Sequence, residues 1–476
     1  MNETFKSIFP HIIGFSVFII SCIASAHVVL NKRDTKAAVG WVGLIWLVPV
    51  LGSLLYILLG INRIRRRAKD LRSEHVFSSA GRVPSGPDNS DIPLQFTGFS
   101  NLVQRILQKP LLKGNALQPL VNGDEAYPTM ISEIDRAEHS IHLITYIFDN
   151  DRAGKKFVES LVRAARRGVE IRIIIDDVGA RYSFPTVTRL LRSSGIKVAR
   201  FLPTMIPWRT PYINLRNHRK ILVVDGEKGF TGGMNIREGL MVRENPKHPF
   251  HDLHFRVDGP VVGHLQEVFL SDWSFCTGEA LTGTEWWPSL NGNGTAIARG
   301  IPDGPDEDFE KLQWIVHGAL MAAQSSVRII TPYFIPDSTL IKTINLTALR
   351  GIKVDIVLPA ANNLPLIKWA SMDLLQQVLE HGSRVWLSPP PFDHSKLMVV
   401  DDVWILLGSA NWDTRSFRLN FEFNVECYDR NLADRLNQII NAKIDGAHNV
   451  TLAEVNSRTL PVKLRDGIAR LFSPYL

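Results

Sequence analysis

The chain has 476 residues, 45% of them hydrophobic, with a formal net charge of +7. That length suits two or three domains with sizeable cores, and the charge favours an anionic partner, either nucleic acid or an acidic membrane surface. Three scattered cysteines, Cys22, Cys276 and Cys427, give no basis for a disulfide framework or a thiolate metal site and fit a reducing compartment for the main body.

Two apolar stretches open the chain. Residues 12–30 are apolar except for small residues, Cys22 and His27, and residues 37–61 carry no formal charge. Each is close to the ~20 residues a helix needs to cross a bilayer, so residues 8–61 are expected to form two transmembrane helices. Pro49 is expected to kink the second. Trp41 and Trp46 fit an interfacial or a core position equally. A cleaved signal peptide competes for the first stretch, since Lys6 gives a positive start and Ala24-Ser25-Ala26 resembles a cleavage site. The second span, following at once, favours an anchor. Arg63, Arg65, Arg66, Arg67, Lys69 and Arg72 crowd its exit, whereas only Lys32, Arg33 and Lys36, offset by Asp34, lie between the spans. The positive-inside rule puts the main body in the cytoplasm, with the arginines near anionic headgroups.

Residues 62–110 read as a basic juxtamembrane segment and linker, with residues 78–93 rich in Ser, Gly, Pro and Asp. Two similar halves follow, 111–282 and 306–476, joined by a Pro/Gly-rich linker over 283–305. Ala137-Glu138-His139-Ser140-Ile141 parallels Ala323-Gln324-Ser325-Ser326-Val327, and Arg167-Gly168-Val169-Glu170-Ile171 parallels Arg350-Gly351-Ile352-Lys353-Val354. Residues 157–167 read as an amphipathic helix closed by Gly168, and 169–175 as a buried strand. This alternation predicts an α/β layer fold, with the halves packed face to face about a pseudo-twofold axis. An extra stretch in the first half, 204–215, suits a substrate or membrane contact or a plain surface insertion.

One pattern is written in both halves. His218, Lys220 and Asp225 recur as His394, Lys396 and Asp401 at the same spacing. Each set is followed by a small-residue turn with an Asn, Gly232-Gly233-Met234-Asn235 and Gly408-Ser409-Ala410-Asn411. On a strand, His and Lys two apart share a face, while the Asp has the other parity and lies toward the strand end. The Asp residues, part of the candidate catalytic set, are therefore expected to order loops or pair with basic groups. Gly233 and Ser409 would let the backbone approach a phosphate, and Asn235 and Asn411 can donate to its oxygens. Lys220 and Lys396 would neutralise the non-bridging oxygens of a phosphodiester. One imidazole attacks phosphorus and the other protonates the departing alcohol, then deprotonates the incoming one. No metal or other cofactor is required. Asp252 and Glu422, each about thirty residues after the His of its own half, are candidates to orient that His. His251 and His254 flank Asp252, and strand alternation favours support for Asp252 over a metal pair.

The doubled pattern resembles the phospholipase D superfamily signature H-x-K-x4-D with its following small turn and Asn. Within it, the two N-terminal spans, Thr331-Pro332-Tyr333-Phe334-Ile335-Pro336 and Arg470-Leu471-Phe472-Ser473-Pro474 are similar to the bacterial cardiolipin synthases. That resemblance implies transfer of a phosphatidyl group between two phosphatidylglycerol molecules at the inner membrane, with His218 as nucleophile and His394 as acid. The alternatives are a phospholipase D hydrolase, a transferase using another alcohol, a nuclease and a non-catalytic lipid-binding descendant. The spans and arginine cluster argue against nucleic acid as partner, as does the lack of aromatic stacking platforms. Residues 464–471, with Lys463, Arg465 and Arg470, fit an interfacial amphipathic helix or a packed terminal one.

Overall fold

The computed structural model describes residues 3–32, 35–60, 91–203, 215–281, 283, 286–288, 290, 292–306 and 308–473. They fall into two compact units, Met1–Ala68 and Lys69–Leu476. The basic run 63–72, residues 78–90 of the expected linker and residues 204–214 of the expected insertion lie outside the described residues.

In the first unit, helix Glu3–Asn31 contains a stretch, His11–Asn31, long and apolar enough to cross a membrane. The second apolar stretch differs from expectation. Helix Thr35–Leu47 stops, Val48 leaves the helical region (φ −137°, ψ 75°), and Pro49 opens a new helix, Pro49–Leu55. Proline has no amide hydrogen and its ring crowds the carbonyl four residues back, so it breaks the helix here instead of kinking it. Among the described residues, one helix therefore reaches crossing length where two were expected. The pieces pack around Ala24, Val28, Ile45 and Tyr56. His27 Nδ1 lies 2.8 Å from the Tyr56 hydroxyl, and Trp41 sits edge-on to Tyr56 at 5.4 Å. Gly52 permits the tight passage after the break, because a Cβ there would lie 2.4 Å from the Leu44 carbonyl oxygen.

The second unit repeats one sheet plan. Among its described residues the first half contributes β1 (Leu112–Val121), β2 (Ser140–Thr145), β3 (Glu170–Asp176), β4 (Lys197–Phe201), β5 (Ile221–Val224), β6 (Lys228–Gly232) and β7 (Leu253–Asp258). The second half contributes β8 (Ala296–Asp303), β9 (Ser326–Ile330), β10 (Lys353–Pro359), β11 (Arg384–Ser388), β12 (Leu397–Val400), β13 (Trp404–Gly408) and β14 (Asn420–Tyr428). The first runs β4-β3-β2-β5-β6-β7-β1 and the second β11-β10-β9-β12-β13-β14-β8, the same order in each. β3 and β10 bury every residue after the first, as parallel strands covered on both faces do. Helices Arg152–Arg166 and Ser338–Leu349 supply the crossovers into them, capped by the side chains of Asp151 and Asp337.

The halves meet differently from the expected face-to-face arrangement. β1 and β8 pair antiparallel, Leu112 opposite Ala298 and Asn115 opposite Ala296, so the two sheets join edge to edge. Beyond that seam they share a core. Ile174, Val223 and Phe255 of the first half cluster with Val357, Val399 and Phe423 of the second, along with residues of helices Val262–Thr277 and Arg430–Asp445.

Two expected linkers carry structure. β8 lies inside 283–305. Helix Thr97–Leu107 lies inside 62–110 and buries Phe99, Val103 and Leu107 with Leu312, Ile315 and Val316 of the second half. Its amphipathic spacing was legible, but no local signal names so distant a partner. Arg299 on β8 ties these pieces together. Its buried guanidinium donates to Glu426 at 2.6 Å and to the Lys109 carbonyl at 2.8 Å, while Trp404 Nε1 donates to the same carboxylate at 3.1 Å. Removing one member of such a pair strands a buried charge. Arg299→Ala is expected to cost about 3–5 kcal/mol, read as a lower denaturation midpoint, with faster proteolysis around residues 91–107. An unchanged midpoint would contradict this role.

Candidate active site

The two copies of the pattern come together, and each is completed by the other half. Residues Arg216–Asn217 pair in parallel with Asn420–Phe421, and Phe392–Asp393 with Phe250–His251. These short ladders place each His beside the far half's carboxylate strand. The His218 amide donates to the Phe421 carbonyl at 2.9 Å, and the His394 amide to the His251 carbonyl at 2.7 Å. The rings follow. His218 Nδ1 lies 2.9 and 3.0 Å from the two oxygens of Glu422, and His394 Nδ1 lies 2.8 Å from Asp252. Sequence distance suggested pairing within a half, but the observed hydrogen bonds cross between halves.

This geometry assigns the tautomers. A carboxylate only accepts, so each Nδ1 carries the proton and each Nε2 presents a lone pair. Lys396 Nζ, 3.0 Å from His394 Nδ1, is then a near neighbour of that nitrogen and not its donor. Lys220 Nζ donates to the His218 carbonyl at 2.6 Å, and Lys396 Nζ to the His394 carbonyl at 2.5 Å.

Burial sets the electrostatics. Both imidazoles are pushed down to about 4, first by desolvation; the paired carboxylate opposes the shift and the lysines reinforce it. Desolvation lowers Lys220 to about 7 and Lys396 to about 8, and the positive charge of Lys396 adds to the shift at Lys220. Glu422 is held below its usual value, since His218, Lys220 and the Ser409 hydroxyl outweigh its burial. Burial and mutual repulsion make these two charged lysines costly, and the Glu422 and Asp252 carboxylates oppose part of that cost.

The small-residue turns do a different job from the one expected. Ser409 is fully buried and its hydroxyl donates to Glu422 at 2.5 Å. Gly233 faces Asp252, and a Cβ there would fall 2.2 Å from that carboxylate. Both positions therefore support the His-bound acids and do not line a phosphate cradle. Asn235 accepts from the Ile147 amide at 3.1 Å through its side-chain oxygen. Asn411 Oδ1 is buried without a hydrogen-bond partner.

Asp225 and Asp401 sit apart from this chemistry. Both adopt positive φ, 52° and 51°, in the turns after β5 and β12. Asp225 accepts from the amides of Glu138, His139 and Ser140, and Asp401 from those of Gln324, Ser325 and Ser326. Their placement in the catalytic set is corrected: they fix the loops entering β2 and β9. His251 is bonded to Asn122 at 3.2 Å, and His254 is buried beside Gly232.

Several neighbours were missed. Tyr146 stands edge-on to His218 at 5.4 Å with Lys220 Nζ 5.6 Å from its ring, and Tyr333 stands edge-on to His394 at 6.2 Å. Tyr333 belongs to the Thr331–Pro336 run that carried the family resemblance, whereas Tyr146 had no signal beyond ending a strand. Arg219, between the first His and Lys, donates to Asp272 at 2.6 Å and locks the motif to helix Val262–Thr277.

Comparison with known proteins identifies the family. The family described as "Cardiolipin synthase, PLD-like domain" matches residues 130–273 and 316–444, and the one described as "Phospholipase_D-nuclease N-terminal" matches residues 19–60. Cardiolipin synthase 2 of Staphylococcus epidermidis is 30% identical, the alignment covering 99% of each chain. Cardiolipin synthase of Geobacillus thermodenitrificans is 31% identical over 98% of this chain and 94% of its own. A phosphatidylserine synthase from Haemophilus influenzae Rd KW20 shares the fold, with a TM-score of 0.62 at 17% identity over 79% of this chain and all of that one.

The shifted lysines give a pH prediction. Below about 7 Lys220 is charged, and above it the charge is lost. Affinity for an inorganic phosphate mimic such as tungstate should fall as pH rises through 7 to 8. At saturating mimic near pH 6 the protein should be stabilised by roughly 3 kcal/mol at a hundredfold excess over Kd. Titration calorimetry showing equal affinity at pH 6 and pH 9 would contradict the assignment.

Proposed function

The chain belongs to the cardiolipin synthase family of phospholipase D-like proteins, and from that membership we propose how its residues carry out the reaction. It is a membrane phosphatidyltransferase that makes cardiolipin. In our reading, His218 Nε2 attacks the phosphorus of one phosphatidylglycerol. The bond to the glycerol oxygen breaks, and His394, protonated at Nε2 as well as Nδ1 once the anionic phosphate is bound, gives its Nε2 proton to that oxygen so that free glycerol leaves. A phosphatidyl group is then held on His218. The hydroxyl of a second phosphatidylglycerol loses its proton to His394 and attacks the same phosphorus, which releases His218 and forms cardiolipin. Lys220 and Lys396 neutralise the phosphate oxygens throughout, with Asn235 and Asn411 as further polar contacts. Glu422 and Asp252 stabilise the imidazolium character that develops on each ring. No metal takes part in this sequence of steps.

The observation that carries the reading is the pair of cross-half Nδ1–carboxylate bonds, which leave one Nε2 for attack and the other for proton transfer at a site shared with Lys220 and Lys396. Glu422, with Ser409 and Asn420 as donors, is the better-supported acid and suits the partner of the nucleophile. We also propose that residues 8–61 cross the bilayer twice, the second time through the broken helix, with the body on the cytoplasmic side; the arginine-rich sequence at 63–72 supports that orientation. Nucleic acid is not expected as a partner.

Purified protein given labelled phosphatidylglycerol in vesicles should yield cardiolipin and glycerol in equal amounts. Phosphatidic acid as sole product would favour hydrolysis, and a different diester with added ethanolamine would favour another acceptor. His218→Ala and His394→Ala should each abolish transfer, and robust turnover in either would sink the paired mechanism. Glu422→Gln, which leaves the ring in place but loses the charge, should slow transfer by roughly 10²–10⁴-fold. Ser409→Ala should cost far less.

A further inference from the structure

Helix Leu460–Leu471 is packed on one side only. Asp466 and Ala469 are buried, and they face helix Pro365–Leu379. Arg470 pairs with Asp373 there at 3.1 Å, and the Arg465 guanidinium lies 4.7 Å from the centre of the Trp369 ring. The opposite side carries Leu460, Leu464, Ile468 and Leu471, each between 57% and 72% exposed. At ~100° per residue these four fall within an arc of roughly 80°, centred away from the packed residues. Lys463 and Arg470 border one margin of that arc and Arg465 the other, each roughly 60° or more outside it. The helix's lone acid, Asp466, is on the buried side, bonded to Arg458 and Arg465. An apolar stripe bordered by cations on both margins, with its acid turned inward, fits an anionic bilayer surface better than it fits water.

We propose that helix Leu460–Leu471 is an interfacial helix that lies in the headgroup region of an acidic bilayer and holds the site entrance at the membrane surface. The link to the site is short. Helix Pro365–Leu379 begins two residues after Asn363, whose side chain accepts from the Tyr333 hydroxyl at 2.8 Å, and Tyr333 stands edge-on beside His394. Leu364 and Leu366, at the start of that helix, are themselves exposed. A helix seated on the bilayer would thus present this edge of the site to lipid headgroups. The purpose rests on the lipid reading above, but the contact itself is measured without turnover.

The test uses the full chain in vesicles. In a Cys22→Ser background, Ile468→Cys is labelled with an environment-sensitive fluorophore, and Asn456→Cys, on an exposed polar position, serves as control. The label at 468 should shift to the blue and be quenched by brominated lipid in phosphatidylglycerol vesicles, more strongly than in phosphatidylcholine, while the label at 456 stays water-like. Water-like emission at 468 in both vesicles overturns the proposal. So does a blue shift in lipid-free detergent that grows with protein concentration, because it would identify a second copy of the chain as the occupant. A Leu464→Gln/Ile468→Gln variant should raise the apparent KM for vesicle substrate roughly tenfold, about 1.4 kcal/mol of lost contact, while kcat in mixed micelles is unchanged. Unaltered vesicle kinetics would overturn the link to the site.

Discussion

His218 and His394 are each held twice by the half they do not belong to, once through the backbone amide and once through the imidazole. The rest of the second unit follows from that constraint. For a backbone bond and a ring bond to reach across the molecule together, the two halves must meet in one register. The β1–β8 seam sets it, and the shared core of Val223, Phe255, Val399 and Phe423 fixes it. Burial then drives the imidazoles toward neutrality and the lysines toward losing charge. The ionic cost is offset only where a carboxylate or an incoming phosphate is near. Structure and chemistry are thus two descriptions of the same contacts.

The supporting residues break the symmetry that the motif suggests. Glu422 rests on a serine hydroxyl and an asparagine amide, whereas Asp252 rests on the Leu253 amide with the bare glycine at 233 leaving it room. Asn217 and Arg219 bind Asp272 in the first half; in the second, the corresponding Asp393 is paired with Lys443 and Ser395, so the charges are reversed. Duplicated halves thus converge on matched geometry through different local chemistry, which leaves the two histidines in unequal environments. Such an inequality suits the nucleophile and the acid proposed above.

How much of this was legible follows the range of each interaction. The repeat is local, and sequence spacing reaches it; the strand expected through His218 and Lys220 instead stops at Asn217 and resumes at Ile221, so both residues lie in the short segment between. The crossing of Asp252 and Glu422 is not local: about thirty residues separate each from its own His, and nothing in that distance says which ring it meets. Residues 283–305 read as a loop because Gly and Pro recur along their length, although Ala296–Asp303 is a seam strand. Pro49 predicts a kink, but Val48 gives up helical geometry there and the helix restarts. Gly233 and Ser409 were read from their size as room for a phosphate, yet the room is taken by a carboxylate.

Helix Thr97–Leu107 precedes the first half in the chain but is stored against the second, where Gln95 beside it donates to Asp401 at 2.7 Å. Its apolar face has no place to go until Leu312, Ile315 and Val316 are made. At ~5–20 residues per second, that is a wait of roughly 10–40 s during synthesis. Throughout that interval an amphipathic segment, some two dozen residues after the arginine-rich stretch, is exposed on a nascent chain. The body therefore closes as a whole and late, and a truncated first half would emerge without its carboxylate partner and with this helix unburied.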